Sequence, residues 1–550
     1  MSGLFSIPRE VVGKVTDTAK AITVLGKRGL FDPLRPDHGI VSAVSAMRYG
    51  PFAGLVISGA HRYGTAPAIV DERGTLTFRE LDEQSNAFAR GLAQHGVKAG
   101  MVLVVLARDH RGLVLTMAAA GKLGARLVMM NTGFAKPQFA DVAEREGVQV
   151  VLLDGEFMGL LDAIPHDVPR ILTWIDGSDD VDPTTLSLDG LIQGQSTAKL
   201  PHPSQPGGMV LLTSGTTGTP KGAPRDKVSP LSSAQFLDRV PVPKCGTIFN
   251  AAPIFHGTGL SQFAIGLALG NRIVLQRRFN PEATLRGVAE NHADMLVVVP
   301  TMLQRMLDLD AEVLAKYDTS ALKIIFAAGS SLSPDLCKRT AEVFGEVLYN
   351  LYGSTEVAVA AIATPAELAE APGTVGRPPV GCRVALYDED RNLITEPNVT
   401  GAIFVSSGLS FTGYTDGRNK EMVDGLLASG DVGHFDDRGL LFVDGRDDDM
   451  IVSGGENVFP LEVENLLADR EDVRDAAVVG VDDRDFGKRL RACIVPGPSA
   501  ARDPEEIKAY VKDNLARHKV PRDVVFLDEL PRNATGKLLR HKLVDMDLDS

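Results

Sequence analysis

A short polar loop carries the clearest chemical signal in this sequence. Residues 213–222 read Thr-Ser-Gly-Thr-Thr-Gly-Thr-Pro-Lys-Gly and directly follow an apolar run at 209–212. Glycines let backbone N–H groups turn toward an anion, the hydroxyl groups add donors, and the lysine adds a positive charge. The loop is therefore predicted to hold a triphosphate. The residues expected to do so are Thr213, Ser214, Gly215, Thr216, Thr217, Gly218 and Lys221.

Two alternatives to this reading of the loop are weaker. A Walker phosphate loop needs Ser or Thr after its lysine and a helix beyond it, whereas Gly222 follows Lys221 and Pro224 disfavours a helix. A flexible surface linker would suit the composition, but linkers seldom follow a buried strand so closely.

Five further motifs follow the loop in order and span most of the chain. They are Tyr352-Gly353-Ser354-Thr355-Glu356, Ser429-Gly430-Asp431, Asp-Gly-Arg-Asp-Asp-Asp-Met-Ile at 444–451, Ser-Gly-Gly-Glu-Asn-Val at 453–458 and Pro-Arg-Asn-Ala-Thr-Gly-Lys at 531–537. Together with the loop, they resemble the signature of the adenylate-forming superfamily. That superfamily contains acyl-CoA synthetases, adenylation domains of peptide synthetases and luciferases. The resemblance implies ATP, Mg²⁺ and CoA as cofactors.

The resemblance implies a nucleotide site built from several of these motifs. Tyr352 offers a flat face for adenine, and the other wall of that slot is implied to be Gly329 and Ser330. Asp431 would accept hydrogen bonds from the ribose hydroxyls, and Arg446 would support it with a fixed fork of donors. The backbone of Gly353, Ser354 and Thr355 completes the implied site. Taken without the motifs, Tyr352 could equally be a core tyrosine, and Asp431 with Arg446 a surface ion pair.

Glu356 is the best candidate for a Mg²⁺ ligand, because hard oxygen atoms bind this ion and the ion can share phosphate oxygens. The resemblance implies the same role for Glu356, with Thr216 as a second metal ligand. A single glutamate is otherwise most often a surface charge.

Lys537 and His256 are the candidate catalytic residues. A carboxylic acid is already ionised at neutral pH, so its activation needs charge stabilisation rather than a base. A mobile ammonium such as that of Lys537 could bridge the carboxylate and the α-phosphate, and the resemblance gives Lys537 this role. It also places His256 beside the acyl carboxylate. The plain alternatives are a solvent-exposed lysine and a satisfied core histidine.

The resemblance further implies a second half-reaction in the same pocket. It places CoA beside Ser453, Gly454, Gly455 and Glu456, and it makes Asp448 the hinge about which a C-terminal lid rotates. From the sequence alone, Asp448 could equally be a solvated acid in a turn.

The function expected from these residues is that of an ATP-dependent acyl-CoA synthetase for a fatty acid of medium or long chain. Neither a Gly-x-Ser-x-Gly elbow nor a His-Glu-x-x-His helix occurs, so the common hydrolase mechanisms have no support. Two alternatives stay open. One is an adenylation enzyme that loads a carrier protein, and the other is a nucleotide-binding sensor that has lost catalysis.

Composition restricts the cell compartment and the partners. The 550 residues are 44% hydrophobic and 23% charged, which is typical of a soluble globular protein, and the formal net charge of −14 argues against nucleic acid as a partner. The four cysteines are scattered singly, as suits a reducing cytoplasm. Neither a signal-peptide pattern nor a peroxisomal tail is seen, so we expect a cytoplasmic protein. A homodimer is compatible with the sequence.

The first thirty residues differ from the rest in charge and pattern. They hold five Lys or Arg against two acids, and Ile7, Val11, Val15, Ala19 and Ile22 recur at helical spacing. A basic amphipathic helix is predicted here, which could bind an anionic membrane surface peripherally. Packing against the protein's own body is the alternative.

The elements that position these motifs alternate between strands and helices. Thr77 and Glu80 form a capping box that opens a helix, and apolar runs at 101–106, 148–153, 209–212, 272–275, 295–299 and 323–327 read as buried strands. The pattern predicts an α/β fold with parallel-rich sheets covered by helices, and ligands at the carboxyl ends of the strands. A small α+β unit follows, with apolar runs at 475–481, 489–495 and 524–527. We predict a leader at 1–50, an AMP-binding domain at 51–446 and a mobile C-terminal lid at 447–550.

Overall fold

A computed structural model describes most of the chain. It covers residues 9–177, 179, 181–182, 184–213, 221–224, 230–410, 413, 419–453, 456–483, 487–497, 502–533 and 536–546. The helices are α1 Arg9–Lys27, α2 Pro36–Tyr49, α3 Pro51–Tyr63, α4 Phe78–Gln94, α5 Arg111–Leu123, α6 Lys136–Glu146, α7 Leu188–Ile192, α8 Ala234–Arg239, α9 Gly257–Ala268, α10 Pro281–Glu290, α11 Pro300–Leu307, α12 Ala311–Lys316, α13 Pro334–Phe344, α14 Pro365–Glu370, α15 Pro460–Ala468, α16 Pro504–Asn514 and α17 Arg540–Val544. Short 3₁₀ helices lie at Gly155–Ala163, Pro230–Ser233, Asp447–Asp449 and Arg517–Lys519.

The strands alternate with these helices through the first two thirds of the chain. They are β1 Pro67–Asp71, β2 Gly74–Thr77, β3 Val102–Leu106, β4 Arg126–Met129, β5 Val150–Asp154, β6 Arg170–Trp174, β7 Gly208–Thr213, β8 Lys221–Pro224, β9 Thr247–Asn250, β10 Arg272–Leu275, β11 Met295–Val298, β12 Ile324–Ala328, β13 Leu348–Tyr352, β14 Ala361–Ala363, β15 Arg383–Tyr387, β16 Leu393–Ile394, β17 Gly401–Ser406, β18 Met422–Val423, β19 Leu426–Phe435, β20 Leu441–Arg446, β21 Ile451–Ser453, β22 Glu456–Val458, β23 Val473–Asp483, β24 Gly487–Pro496 and β25 Asp523–Phe526.

Two mostly parallel sheets form the body of the large N-terminal part. Sheet 1 has the strand order β14-β13-β12-β11-β9-β10-β1-β2, and sheet 2 has the order β6-β5-β3-β4-β7-β8. Antiparallel strands occur only at their edges: β2 and β14 in sheet 1, and β8 in sheet 2. One apolar core joins residues of both sheets, such as Ile69 and Leu103, with helix residues such as Phe88 and Phe263. Continuous apolar strands of this kind need cover on both faces.

Two smaller sheets follow along the chain. Sheet 3 is antiparallel, with the order β16-β15-β17-β19-β18 and with β20 paired to β19. Sheet 4 has the order β22-β21-β24-β23, with β25 parallel to β24, and it packs on α15 and α16. The predicted fold class is confirmed: a large α/β part precedes a small C-terminal domain built on a mainly antiparallel sheet. The exact domain limits stay a prediction.

Local sequence signals correspond well to the observed elements. Thr77 and Glu80 form the reciprocal capping box at the start of α4. The predicted strands are confirmed in β3, β5, β7, β10, β11 and β12 of the large part, and in β23, β24 and β25 of the small one. Pro224 ends the edge strand β8, where its missing N–H costs no central ladder bond.

The leader forms α1 and α2. Of the predicted helical stripe, Ile7 and the side chains of Val11 and Val15 lie outside what the structure describes. Ala21 and Leu25, rather than Ile22, enter the core of the body, beside Leu237 of α8. The 3.6-residue period of the helix is compatible with burial of either of two neighbouring faces of α1, and the contact with α8 determines which face is buried. Ile22 is half exposed. Among the described helices, none combines the length and hydropathy needed to cross a bilayer.

Candidate active site

Strands β11, β12 and β13 end at one edge of sheet 1 and present the predicted adenine slot there. Ala328, the last residue of β12, pairs with Leu351 of β13, so Gly329 and Tyr352 follow side by side. Gly329 has a left-handed φ of +103°, and a Cβ at this position would lie 3.6 Å from both Thr258 Oγ1 and Val299 Cγ1. The slot therefore has open space above the Gly329 backbone, with Thr258 and Val299 at its sides.

The structure brings Tyr352, Asp431 and Arg446 together. The Tyr352 hydroxyl donates a 2.6 Å hydrogen bond to Asp431 Oδ2. Asp431 and Arg446 are directly opposite each other in strands β19 and β20, and Arg446 Nη1 lies 3.6 Å from Asp431 Oδ1. Burial, and then the adjacent Asp431 charge, raise the pKa of Tyr352 well above its ordinary value, so the phenol stays protonated and donates.

Ser429 orients the backbone that carries Asp431. Its Oγ accepts a 3.1 Å hydrogen bond from the Asp431 N–H and donates a 2.9 Å bond to the carbonyl of Ile403. Lys420 Nζ donates a 2.9 Å bond to the Ser429 carbonyl. Lys420 and Arg446 thus place two cations beside Gly430, the residue before Asp431: a Cβ there would lie 3.3 Å from Lys420 Nζ and 3.4 Å from Arg446 Nη2. Such an arrangement suits a polar ligand with several hydroxyl groups and a nearby negative charge.

The turn after β13 holds Ser354, Thr355 and Glu356 in a tight conformation. A Cβ at Gly353 would collide with the Ala358 carbonyl oxygen, which explains the glycine. Ser354 Oγ accepts hydrogen bonds from the N–H groups of Glu356 at 3.2 Å and Val357 at 3.3 Å. Glu356 is buried directly beside Ser354 and Thr355, which line the main cavity. A carboxylate so placed, next to a ligand cavity, has the donor chemistry that Mg²⁺ prefers.

His256 is the residue before α9, and its ring packs on Phe255 with 4.5 Å between centroids. Its Nε2 atom is buried without a hydrogen-bond partner among the described residues. Burial lowers the pKa of His256 to about 4, so the imidazole is neutral at neutral pH. The next residues, Gly257 and Thr258, line the cavity. The structure therefore places His256 at the edge of the cavity, with a buried polar atom unsatisfied by protein.

A buried carboxylate that the sequence analysis did not select holds the loop of His256. Asp109 accepts hydrogen bonds from the Ile254 N–H at 3.1 and 3.2 Å, and it is almost fully buried. Burial raises the pKa of Asp109 to about 8. Asp109 lies 145 residues before Ile254, and no local motif marks it.

Lys537 lies on a short turn that leans on the large part of the protein. Its N–H donates a 2.9 Å hydrogen bond to Asn533 Oδ1, and Arg532 fixes the turn by bonding the Gly536 carbonyl at 2.9 Å and the Asp475 carboxylate at 2.9 and 3.1 Å. Gly536 has a φ of +78°, and a Cβ there would collide with Thr301 Oγ1.

Thr301 connects this turn to the adenine slot. It is the second residue of α11 and stands two residues after Val299, one of the neighbours of Gly329. The turn that carries Lys537 therefore lies at the same edge of sheet 1 as the predicted adenine slot. The Lys537 side chain is exposed.

One large cavity of about 1010 Å³ extends from this edge into the protein. Gly329, Gly353, Ser354 and Thr355 line its polar end. Its middle follows α9, at Ser261, Ala264, Ile265 and Ala268, and its far end reaches the leader helices α1 and α2 at Ile22, Phe31 and Ala43. The volume is at the upper end of the roughly 300–1,000 Å³ usual for small-molecule sites, and the lining beyond the polar end is mainly apolar.

Comparison with known sequences assigns the family. Residues 58–415 match the AMP-binding enzyme family, and residues 462–537 match the AMP-binding enzyme C-terminal domain. The first match alone covers more than half of the chain. The chain is an AMP-binding enzyme of the adenylate-forming superfamily.

Named relatives of this AMP-binding enzyme act on different acids. An indoleacetate–CoA ligase of Aromatoleum aromaticum is 30% identical over 474 residues, covering 84% of this chain and 91% of the relative. A fatty acid–acyl-carrier-protein ligase of Streptomyces coeruleorubidus is 29% identical over 501 residues, covering 88% and 93%. The solved o-succinylbenzoate CoA synthetase of Bacillus subtilis, in complex with its acyl-adenylate, matches with a TM-score of 0.76 and 26% identity, covering 90% of this chain and 98% of that one.

Some predicted residues of the AMP-binding enzyme lie outside what the structure describes. These are Ser214, Gly215, Thr216, Thr217, Gly218, Gly454 and Gly455, together with the side chains of Thr213, Asp448 and Glu456. Lys221 is in the edge strand β8, and Ser453 is buried at the end of β21. The hinge and CoA roles therefore stay predictions.

Long-range contacts add four residues that the motifs did not reveal: Thr258, Thr301, Lys420 and Asp109. Thr258, Thr301 and Asp109 are far in sequence from the residues they neighbour or support, whereas Lys420 is near its motif. Lys420 precedes Ser429 by nine residues in a polar stretch, and its positive charge is a sequence signal for a place in the site. The other three have no sequence signal that distinguishes them.

Proposed function

We propose that this AMP-binding enzyme is an ATP-dependent acyl-CoA ligase for a large apolar carboxylic acid. The observation that carries the proposal is the single cavity whose polar end lies at the Gly329 and Ser354 edge and whose remaining length is apolar. Such a shape holds a nucleotide and a long hydrophobic group end to end.

In the first half-reaction, a carboxylate oxygen attacks the α-phosphorus of ATP, and pyrophosphate leaves. Gly329, Ser330 and the Tyr352 ring are proposed to hold adenine, while Asp431 and Arg446 hold the ribose. The 213–222 loop, with Lys221, would hold the β- and γ-phosphates. Lys537 would reach the carboxylate and the α-phosphate from the turn seated on Thr301, because its ammonium offsets the charge that accumulates there.

Glu356 and Thr216 are proposed to hold Mg²⁺, which would supply charge neutralisation at the phosphate oxygens. The neutral His256 can donate or accept one hydrogen bond without adding charge, and its unsatisfied Nε2 suits contact with the bound acid. Because the acid is ionised before it binds, none of these residues has to remove a proton from it.

In the second half-reaction, the CoA sulfur attacks the acyl carbon, AMP leaves and the thiol proton is released. We propose that the C-terminal unit turns about Asp448, so that Lys537 withdraws and the segment at 453–456 approaches the acyl-adenylate. Asp448 lies in the 3₁₀ turn Asp447–Asp449 between sheets 3 and 4, where a small backbone change would reorient the whole unit.

The acid is proposed to be a medium- or long-chain fatty acid or a ring system of similar size. The cavity is long and apolar, which favours either class over a small polar acid. The relatives act on aromatic acids as well as fatty acids, so aromatic acids belong among the candidates. A carrier protein is the second candidate acceptor, favoured by the Streptomyces relative.

A screen of purified protein tests this function. AMP release would be followed with ATP, Mg²⁺ and a panel of short, long-chain, aryl and polycyclic acids, with and without CoA. We expect acid-dependent AMP release that CoA accelerates, strongest for large apolar acids. Ala264→Phe, which fills the middle of the cavity, should lower AMP release with large acids by at least about tenfold. Ala93→Phe, on the exposed side of α4, should leave AMP release unchanged. AMP release that no acid stimulates would contradict the proposal, as a non-catalytic sensor would show.

A further inference from the structure

Large apolar side chains are concentrated on the outside of the leader. Of the thirteen exposed large hydrophobic residues in the described chain, six fall between residues 22 and 47. The most exposed are Leu34 at 89%, Met47 at 77% and Ile40 at 62%. Ile40, Val44 and Met47 recur every three or four residues, so they form one face of α2. A soluble helix normally turns this face to the core, and here it faces solvent.

The leader helices are held in this orientation by specific contacts. Arg28 Nε donates a 2.8 Å hydrogen bond to the Leu237 carbonyl, and Arg62 Nη2 donates a 2.7 Å bond to the Gly29 carbonyl. Ala21 and Leu25 of α1 are buried against the body. Ser45 and Tyr49 of α2 are buried, and the Tyr49 hydroxyl donates a 3.0 Å hydrogen bond to the Leu200 carbonyl, so the apolar face of α2 is a fixed surface of the folded protein.

The leader has a net positive charge, opposite in sign to that of the whole protein. Residues 1–62 contain eight Lys or Arg and four Asp or Glu, whereas the complete chain has a net charge of −14. Exposed basic side chains of the leader include Lys20 and Lys27 of α1 and Arg48 of α2. An exposed apolar helix face in a segment of positive net charge is the arrangement that binds anionic lipid surfaces.

The same face surrounds an opening of the large cavity. Ile22 and Phe31 line the cavity, yet they are 46% and 45% exposed. Gly39 and Ala43 of α2 likewise line it and are exposed. A residue can both line a cavity and be exposed to solvent only where the cavity reaches the protein surface. The apolar end of the cavity therefore opens beside α2.

We propose that Ile40, Val44 and Met47 of α2, together with Leu34 just before the helix, dock on an anionic membrane surface, and that the opening beside Phe31 admits an apolar acid from the lipid. An acid drawn from a bilayer would enter with its apolar body in the tunnel between α2 and α9. Docking itself depends only on the leader surface and would occur whichever acid the enzyme activates.

Vesicle co-sedimentation of the full-length protein tests the docking. The probes are vesicles of phosphatidylcholine alone and vesicles of phosphatidylcholine mixed with phosphatidylglycerol. We expect binding to the anionic vesicles that weakens with added salt, and weaker binding to the neutral ones. The triple variant Leu34→Ser, Ile40→Ser, Met47→Ser should bind the anionic vesicles at least about tenfold more weakly than the wild type. The triple variant Leu393→Ser, Val399→Ser, Met422→Ser, which alters three exposed apolar residues on or next to sheet 3, should bind like the wild type.

Further readouts separate the possible outcomes. None of the six substituted residues lines the cavity, so AMP release with acid in free solution should be equal in all three proteins. Amide exchange at residues 31–47 should slow only when anionic vesicles are present. Equal binding by the two triple variants, or no binding by the wild type, would overturn the proposal. A wild-type dimer that the leader variant converts to monomers would overturn it too, since a second copy would then cover the face.

Discussion

The Tyr352 hydroxyl donates a 2.6 Å hydrogen bond to Asp431 Oδ2 and so joins the carboxyl edge of sheet 1 to sheet 3. The bond holds the proposed adenine-stacking ring and the proposed ribose acceptor at a fixed separation. Their relative position should matter for binding the nucleotide more than for the chemical step.

Tyr352→Phe keeps the aromatic ring and removes this bond. A hydrogen bond to a charged group contributes about 1.5–3 kcal/mol, so we expect KM for ATP to rise by roughly tenfold or more with a smaller change in kcat. Tyr387→Phe is the matched control, because Tyr387 bonds the Asp424 carboxylate at 2.9 Å away from the site. A Tyr352→Phe enzyme with the wild-type KM for ATP would contradict the assigned site.

Gly536→Ala should misplace the turn of Lys537. An alanine at a φ of +78° costs about 1–2 kcal/mol, and here its Cβ would also collide with Thr301 Oγ1. We expect acyl-adenylate formation to slow by at least about tenfold. Gly147→Ala, at a left-handed φ of +66° and ψ of 47° with open space around it, controls for backbone strain alone. Equal activities of the two variants would show that the contact with Thr301 is unimportant.

Lys537→Ala should separate the two half-reactions. Without the ammonium that offsets the negative charge at the carboxylate and α-phosphate, adenylate formation is expected to slow by about a hundredfold or more. Transfer from supplied acyl-adenylate to CoA should stay near the wild-type rate, because the lysine is proposed to withdraw before this step. Lys542→Ala, at an exposed lysine of α17, should affect neither rate. Equal loss of both half-reactions in Lys537→Ala would refute the separate role.

Asp109 should make stability depend on pH. Burial raises its pKa from 3.8 to about 8, so between these values the unfolded chain is ionised while the native carboxyl keeps its proton. The unfolded state then binds fewer protons, and stability falls as pH rises through this range. Asp109→Asn keeps an acceptor for the Ile254 N–H and removes the titration. Its Tm should therefore fall less than that of the wild type between about pH 6 and pH 8, and an identical fall would contradict the shift.

Much of the fold was predictable because its signals are local. The capping box at Thr77 and the apolar run at 323–327 each specify one element by short-range sterics and burial. The structure places the motif residues Tyr352, Asp431 and Arg446 in contact, and the motif pattern rather than the chemistry of single residues grouped them.

The remaining features depend on contacts that no local pattern encodes. Thr301 meets Gly536 only because the C-terminal unit rests on sheet 1, and Asp109 meets Ile254 across 145 residues. The sequence left open whether the apolar stripe of the leader faces a membrane or the body, and the contacts of Ala21 and Leu25 with the body decide which face of α1 is buried. The outward apolar face of α2 reverses the usual pattern, so periodicity alone would have placed it in the core.

A single-turnover experiment tests whether the enzyme forms an acyl-adenylate before CoA reacts. Enzyme, ATP, Mg²⁺ and an acid that proves active in the screen would be mixed without CoA, the bound products analysed, and CoA then added. We expect pyrophosphate and enzyme-bound acyl-adenylate to form before CoA is present, and CoA to convert the adenylate to acyl-CoA and AMP. Formation of ADP and acyl phosphate, or of acyl-CoA without a preceding acyl-adenylate, would contradict the proposed two-step reaction.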